Sequence, residues 1–562
     1  MKTNNKHSIN LTALLLGLIL LNIFGNYFYK RFDLTQDQRF TLSEAAKSII
    51  ETVDSPIVID VFLKGNFPAE FKRLQTETKQ LLEEFSAFNS HIKYEFINPL
   101  ENEENPVAIQ QQLQQMGLTT AQVEVRENGK LSTELVYPWA LAYYKEKTVK
   151  IPLLKNQLGI TSEERVNNSI QNLEYAFADG FNKLIFPKKR KIAVLKGNGE
   201  LEDRYIADFF KTLKEYYYIA PFTLDSVAIN PAKTLTDLQG FDMIVVAQPS
   251  EAFSDSEKYI LDQYIMNGGA SLWLLDANKQ RTDPTSGKTY AVAEDLQLND
   301  LFFKYGLRIN SNLIKDVVSA PIVLASGNEN DSQYNRYPWF YYPISASDNT
   351  HPIITNIEAV KFEYASSIDT LPNTITKTVL LSSSSITKLA GLPIEISYDI
   401  DIPKFLKVME KGPSPQEFNS GAQTLAVLME GEFTSAFANR VKPFILSEDR
   451  LLSQSNSMVV VSDGDIIKNQ FKGNRPLEVG FDKMTQTMYG NKDFLLNTVN
   501  YLLDDSGLIN IRTKEIAVPF LDPQKTASER TKWQLINLLL PLGILALFGF
   551  GFNFYRKRKY TV

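Results

Sequence analysis

A chain of 562 residues, 44% hydrophobic, 11% aromatic and 22% charged, has room for three or four globular units and lies far from disordered compositions. Its net charge is only −6, spread along the chain, which argues against a nucleic-acid grip built on phosphate contacts. With no cysteine, disulfides, thiolate metal sites, cysteine nucleophiles and CxxC redox chemistry are excluded, and buried apolar surface must hold the folded parts together.

The first predicted element is a membrane helix over residues 9–29, following a tail of residues 1–8. Leu11, Leu14, Leu15, Leu16, Leu18, Ile19, Leu20, Leu21, Ile23 and Phe24 form an uncharged run suited to a hydrocarbon core of about 30 Å. At roughly −0.3 to −0.6 kcal/mol each, they outweigh Asn22, a candidate hydrogen-bond donor to a partner helix in the membrane. Asn26-Tyr27-Phe28-Tyr29-Lys30-Arg31 is a poor cleavage site, so the run reads as a retained span rather than a signal peptide.

The first outer domain is expected over 30–155. Ser43 caps a helix through Ala46 and Ile50, and the apolar run 57–62 reads as a strand. A helix follows from Pro68, with Phe71, Leu74, Leu81, Leu82, Phe85 and Phe88 on one broad face. A strand at 93–97, a short helix near 107–116, and a hairpin of 121–126 with 131–137 turning at Asn128-Gly129 complete the order βαβαββ. That order suggests a thioredoxin-like sandwich which, without cysteine, would serve for binding or spacing. Thr161 and Glu164 form a capping box ahead of Val166, Ile170, Leu173, Phe177 and Phe181, an amphipathic helix within a connecting segment, 156–187.

The second domain, 188–505, opens with a strand at 191–195. A helix at 206–217, strands near 218–224 and 241–247, a helix at 256–266 ended by Gly268-Gly269, and a strand at 270–276 follow. Such alternation predicts right-handed crossovers and a mostly parallel sheet, an α/β fold. Residues 278–455 are less regular and read as insertions, 457–462 as a returning core strand and 493–504 as a closing helix. A stalk, 506–532, leads to a second membrane helix, 533–555, with Trp533 and Tyr555 at its ends and Pro541 as a candidate kink. Arg556-Lys557-Arg558-Lys559 in the tail 556–562, together with Lys2 and Lys6, assigns both termini to the cytoplasm and the bulk of the chain to the outside.

Three segments invite a chemical reading. Ser286-Gly287-Lys288-Thr289 resembles the end of a phosphate-binding loop, but Thr282 stands where the required glycine would be, so a turn with no bound ATP is expected. Gly197-Asn198-Gly199-Glu200 lies between a strand and a helix, where its amides could cradle an anion; it lacks the third glycine of a dinucleotide fingerprint. Asp463-Gly464-Asp465 ends a strand with two carboxylates that could hold a divalent ion, although a capping turn is the commoner use. His7, His91 and His351 form no metal-ligand spacing, and no catalytic group, metal or cofactor site stands out. Gly197, Asn198, Gly199, Glu200 and Asp463 remain the candidate ligand residues.

Several segments together resemble the gliding-motility-associated ABC-transporter accessory family of the Bacteroidetes type, GldG. They are Arg31-Phe32-Asp33-Leu34-Thr35 with Thr41-Leu42-Ser43, and Ile170-Gln171-Asn172-Leu173-Glu174-Tyr175-Ala176-Phe177. Others are Leu425-Ala426-Val427-Leu428-Met429-Glu430-Gly431-Glu432-Phe433 with Ser435, Phe437, Asn439 and Arg440, and Gly490-Asn491-Lys492-Asp493-Phe494-Leu495-Leu496-Asn497. The resemblance spans nearly the whole chain. It implies a non-catalytic inner-membrane subunit working beside a multi-span permease and a separate cytoplasmic ATPase, with links to gliding motility and its secretion machinery. It also implies a second domain on the class I glutamine-amidotransferase (flavodoxin-like) scaffold, here without a nucleophile. The rival expectation is a membrane-tethered solute receptor or hydrolase using the Gly197–Glu200 turn and Asp463.

Overall fold

Two units make up the chain, residues 1–515 and 516–562. The structure, a computed structural model, describes residues 14–18, 41–65, 67–101, 105–127, 130–155, 161–326, 333–346, 351–504, 507–513 and 523–560.

In the larger unit the first sheet has the order β2-β1-β5-β6, from β1 (Ile57–Val61), β2 (Ile92–Phe96), β5 (Trp139–Tyr144) and β6 (Lys147–Pro152). β1 runs parallel to β2 and antiparallel to β5, and β5 is antiparallel to β6. The crossover from β1 to β2 is the helix Ala69–Phe88, whose Phe71, Leu74, Thr78, Leu82 and Phe85 recur every three or four residues and are buried. Phe88, expected on that face, falls on the last turn and is 45% exposed. The expected hairpin forms as β3 (Ala121–Glu127) and β4 (Lys130–Val136), its Asn128-Gly129 turn lying outside the described residues. Among the described residues, however, it pairs only with itself. The sheet takes β5 and β6 instead, joined through Lys145-Glu146, with Lys145 at φ 53. A tight turn lacking glycine or asparagine carries no hairpin signal in the sequence.

The capping box at Thr161 and Glu164 is present, but the predicted single helix is two, Ser162–Gln171 and Leu173–Ile185, meeting at Asn172. The Asn172 amide donates to the Ser169 carbonyl at 3.0 Å, three residues back rather than four, which closes the first helix with a tightened turn. Val166, Ile170, Leu173, Phe177 and Phe181 are buried in the same core as the first sheet, with Phe85 and Phe181 edge to face at 5.1 Å. Leu508, Ile509 and Ile511, expected at the top of the stalk, are buried in that core as well.

The second sheet has nine strands. Five are parallel, in the order β8 (Tyr218–Thr223), β7 (Lys191–Lys196), β9 (Met243–Ala247), β10 (Ala270–Leu274) and Leu452–Val461. Beyond them, Thr424–Thr434 pairs antiparallel with Leu452–Val461 and carries Ile368–Thr370 and Thr376–Ser382, with Leu307–Ile309 outermost, so the sheet is mixed rather than mostly parallel. Every residue of β9 and β10 is buried, as strands covered on both faces require. The core on one face holds Tyr259, Tyr264 and Trp273, with Phe302 edge to face on Trp273; the core on the other holds Phe209, Leu213, Phe494 and Val499. Between β10 and Leu452 the inserted residues make small sheets, such as Asn278–Thr282 with Thr289–Ala293 and Ile394–Ile396, and the helix Tyr398–Lys411.

The smaller unit consists of the helices Pro523–Ser528 and Arg530–Tyr560. The second has 31 residues and a mean hydropathy of 2.2 over its most apolar stretch, long and apolar enough to cross a membrane. It is continuous through Pro541. Of the span expected over 9–29, residues 14–18 are helical and exposed; Asn22 and the rest, like the tail 1–8, lie outside the described residues.

Candidate functional site

Parallel strands bring their carboxyl ends to one side of a sheet, and here the strand order reverses between β7 and β9. A crevice beyond the strand ends at such a reversal is where open α/β sheets hold ligands. Gly197-Asn198-Gly199-Glu200 leaves β7 at this point, and Gln248-Pro249-Ser250-Glu251 leaves β9 beside it.

The two turns are bonded to each other. The amides of Ser250 and Glu251 both donate to the Asn198 carbonyl at 3.0 Å, and Ser250 Oγ donates to the Gly199 carbonyl at 3.0 Å. Gly199 sits at φ 69, and a Cβ there would collide with Ser250 Oγ, so both conformation and space demand glycine. The Asn198 amide donates to Glu200 Oε2 at 2.8 Å, so the carboxylate of Glu200 occupies the amide cradle that the sequence pattern offered to an external anion. Burial nevertheless raises the Glu200 carboxyl above the usual carboxylate range. Glu200 Oε1 and the Oδ1 of Asn198, a residue only 4% exposed, are buried without a hydrogen-bond partner.

A second set of groups lies at the ends of β10 and Leu452–Val461. Asp276 Oδ1 accepts from the Gly464 amide at 2.6 Å, and its Oδ2 accepts from Gln248 Nε2 at 2.6 Å. Asp463 is fully buried and accepts from the amides of Glu363 at 2.5 Å and Asp465 at 2.7 Å; Asp465 pairs with Lys468 at 2.6 Å. Gly464 has an ordinary φ, but a Cβ would lie 2.5 Å from Gln248 Cβ, so the loops can approach only because residue 464 is glycine. Burial, then the charge of Asp465, pushes the Asp276 carboxyl up to about 7, and the same causes with Asp276 itself drive Asp463 well above the carboxylate range. Asp276 and Asp463 are engaged by backbone amides and the Gln248 carboxamide, and Asp465 by Lys468, which competes with a divalent ion for these oxygens. Among the described residues no three His, Asp or Glu side chains are grouped to hold a metal.

The strand ends thus bring Asp463 together with Asp276, Gln248 and Lys468, none of which the sequence reading singled out as site residues. Asp276 was legible in principle: like Asp463, it is an acidic residue directly after an apolar run, at a position that a parallel sheet turns into a rim. Ser286-Gly287-Lys288-Thr289 is the hairpin turn between Asn278–Thr282 and Thr289–Ala293, with the Asp283 amide bonded to the Lys288 carbonyl and Lys288 Nζ 3.1 Å from Glu395. His91 precedes β2 and bonds Asn89 through Nδ1, and His351 heads a turn in which its Nδ1 accepts from the Ile353 amide. His7 lies outside the described residues.

The segments that carried the family resemblance are mostly clamps. The Ser43 amide donates to Glu174 at 2.6 Å, tying two of them together. Asn491 Oδ1 accepts from the Lys361 amide and its Nδ2 donates to the Lys361 carbonyl at 2.8 Å, while Asn497 Nδ2 donates to the Ile353 carbonyl. The Ser435 hydroxyl and the Ala436 amide, at the end of Thr424–Thr434, both donate to the buried Asp262 at 2.7 Å.

Comparison with known proteins agrees in part with that resemblance. A family described as an ABC-type uncharacterized transport system matches residues 189–498, and a domain of unknown function, DUF7088, matches residues 36–143. A protein of Borreliella burgdorferi described as uncharacterized is 22% identical over 569 residues, covering 99% of each chain. Among solved structures, the mmIFT52 N-terminal domain aligns with a TM-score of 0.31 and 12% identity, over 56% of this chain and 97% of that one, a likeness that adds nothing to the fold argument. Since the first of these matches takes in more than half of its length, the chain belongs to the family of ABC-type uncharacterized transport systems.

Proposed function

We propose that this protein is the accessory subunit of an ABC-type transport assembly, anchored in the inner membrane by a span at each end, and that it acts by docking and force transmission rather than by catalysis. The family match over 189–498 carries the reading, because it covers the parallel strands and the rim they form. The helix Arg530–Tyr560 supports a membrane anchor. The second span over 9–29 with Asn22 as a partner contact and the cytoplasmic termini rest on the apolar run and the placement of lysine and arginine, whereas the permease and ATPase partners and the connection to gliding motility rest on the sequence resemblance. Domains at 30–155 and 188–505, separated by 156–187, complete the proposal. The order β2-β1-β5-β6 favours a thioredoxin-like reading of the first, and β8-β7-β9-β10 followed by Leu452–Val461 favours a flavodoxin-like, amidotransferase-related reading of the second. The non-catalytic role is supported by the lack of any cysteine and by strand-end carboxylates engaged with the protein's own amides and Lys468.

The test is gentle detergent extraction of the tagged full chain, followed by identification of what co-purifies. A multi-span permease and a nucleotide-binding subunit are expected; recovery of neither in repeated preparations overturns the assignment. A solute-binding role at Gly197–Glu200 and Asp463 is favoured by one observation, the unpartnered acceptors Asn198 Oδ1 and Glu200 Oε1. A small molecule retained by wild type and lost on Glu200→Ala, with co-purification unchanged, would establish that second reading.

A further inference from the structure

A sheet edge exposes a row of unpaired amides and carbonyls, and proteins guard such edges with proline, charge or brevity. Several edges of the two main sheets are guarded in this way, although Thr376–Ser382, seven residues without proline beside Thr424–Thr434, is a further edge. β8 carries Pro221, Leu307–Ile309 has only three residues, and β6 carries Lys147 and Lys150 and ends at Pro152. β2, Ile92-Lys93-Tyr94-Glu95-Phe96, contains no proline, pairs among the described residues with β1 alone, and differs from β6 in that its charges are of opposite sign and so do not repel a second copy.

The register decides which backbone groups are open. The Ile57 amide donates to the His91 carbonyl at 3.0 Å, and the Ile97 amide donates to the Val61 carbonyl at 2.9 Å. In a parallel ladder this turns the backbones of residues 91, 93, 95 and 97 toward β1, leaving Tyr94 and Phe96 with N–H and C=O directed outward. Ile92 is buried, and Tyr94 and Phe96 pack half-buried against the core, whereas Lys93 and Glu95 are exposed on the opposite face. A groove of about 550 Å³ runs beside the edge, lined by Gln75, Thr76, Lys79, Gln80, Glu83 and Phe96.

We propose that two copies of this chain pair antiparallel along β2 about a twofold axis at Tyr94, merging their four-stranded sheets into one. In that register Tyr94 faces Tyr94 as a hydrogen-bonded pair, and Ile92 faces Phe96. Lys93 of each copy stands opposite Glu95 of the other, a non-hydrogen-bonded position where side chains approach most closely. Both charge pairs vanish if the axis moves to Ile92 or Phe96, so charge complementarity selects the register as well as the occupant. A twofold interface must be self-complementary, and this strand is.

The full chain in its native membrane provides the test, because it has no cysteine of its own. Hydrogen-bonded antiparallel residues have Cα atoms about 5.5 Å apart, inside the ~4.4–6.8 Å range that a disulfide spans. Tyr94→Cys is therefore expected to give a covalent dimer on mild oxidation, and Lys93→Cys, two residues out of register with its own copy, at least tenfold less. In detergent, sedimentation should show Lys93→Glu weakening the dimer roughly tenfold, and the swap Lys93→Glu with Glu95→Lys restoring it to within about threefold. Tyr94→Pro removes the outward amide together with the half-buried ring that packs on Phe96, so it is compared with Tyr94→Ala, which keeps the amide: both should fold, with the proline variant monomeric and the alanine variant still dimerising. A monomeric wild type, Tyr94→Cys cross-linking no better than Lys93→Cys, a charge swap that fails to restore dimers, or capture of another protein's strand at this edge would each overturn the proposal.

Discussion

Replacing Asp276 with asparagine tests the electrostatics of the strand-end rim. The Asp276 carboxyl is raised from an ordinary 3.8 to about 7, first by burial and then by Asp465. The closed structure thus retains a proton that an opened rim releases, so the contribution of Asp276 to stability is complete below about pH 4, falls as pH rises toward about 7, and is level above that. A shift of just over three pKa units corresponds to about 4 kcal/mol as an upper limit. The side chain is partly open to solvent, and screening brings the expected figure to roughly 2–3 kcal/mol. Asparagine is isosteric and cannot ionise; its Oδ1 can keep the Gly464 amide, and a flip of the Gln248 carboxamide supplies an acceptor for its Nδ2. Asp276→Asn should therefore protect the rim at pH 8 and leave it nearly unchanged at pH 4. Hydrogen exchange at the Gly464, Asp465 and Glu363 amides, corrected for intrinsic rates, reads local opening without requiring two-state unfolding of a large membrane protein. Protection about 30- to 150-fold above wild type is expected at pH 8, and less than about threefold at pH 4. An equal ratio at every pH, or a wild type whose protection increases between pH 4 and 7, would refute the reasoning.

Other substitutions test the packing. Asp262→Ala leaves the donors of Ser435, Ala436 and Tyr305 buried without an acceptor and should cost on the order of 4 kcal/mol, seen as a large fall in melting temperature, with Asp262→Asn intermediate. Gly490→Ala would drive a Cβ into the Glu358 carbonyl and should destabilise by roughly 2 kcal/mol or more, lowering the yield of folded chain. Gly287→Ala meets no neighbouring atom and bears only the strain of φ 66, about 1 kcal/mol, so it serves as the control. A chain truncated after residue 515 should still resist carbonate extraction, because the span over 9–29 remains; its release would dismiss the two-span reading.

Features written into short stretches were readable directly. The apolar run that becomes Arg530–Tyr560 needs no partner to be recognised, since a hydrocarbon-length stretch declares itself by composition. β7, β9 and β10 stood out as largely apolar runs, because strands covered on both faces have no polar side to alternate with. The capping boxes at Thr161 and Ser254 form by contacts three residues apart, and the first was foreseen for that reason. The candidate site was half legible: Gly197–Glu200 and Asp463 were noticed as turns following strands, but that Glu200 would fill its own cradle was not.

Local pattern by itself determined the kinds of element and the apolar faces they would bury, because helical and strand periodicities are properties of neighbouring residues. Pairing was decided by the tertiary structure: β5 and β6, not the well-marked hairpin, completed the first sheet, and residues 508–511 returned to its core. Likewise Asp276 meets Gly464 across 188 residues and Glu174 meets Ser43 across 131, partnerships set by burial and register that leave no trace in local spacing.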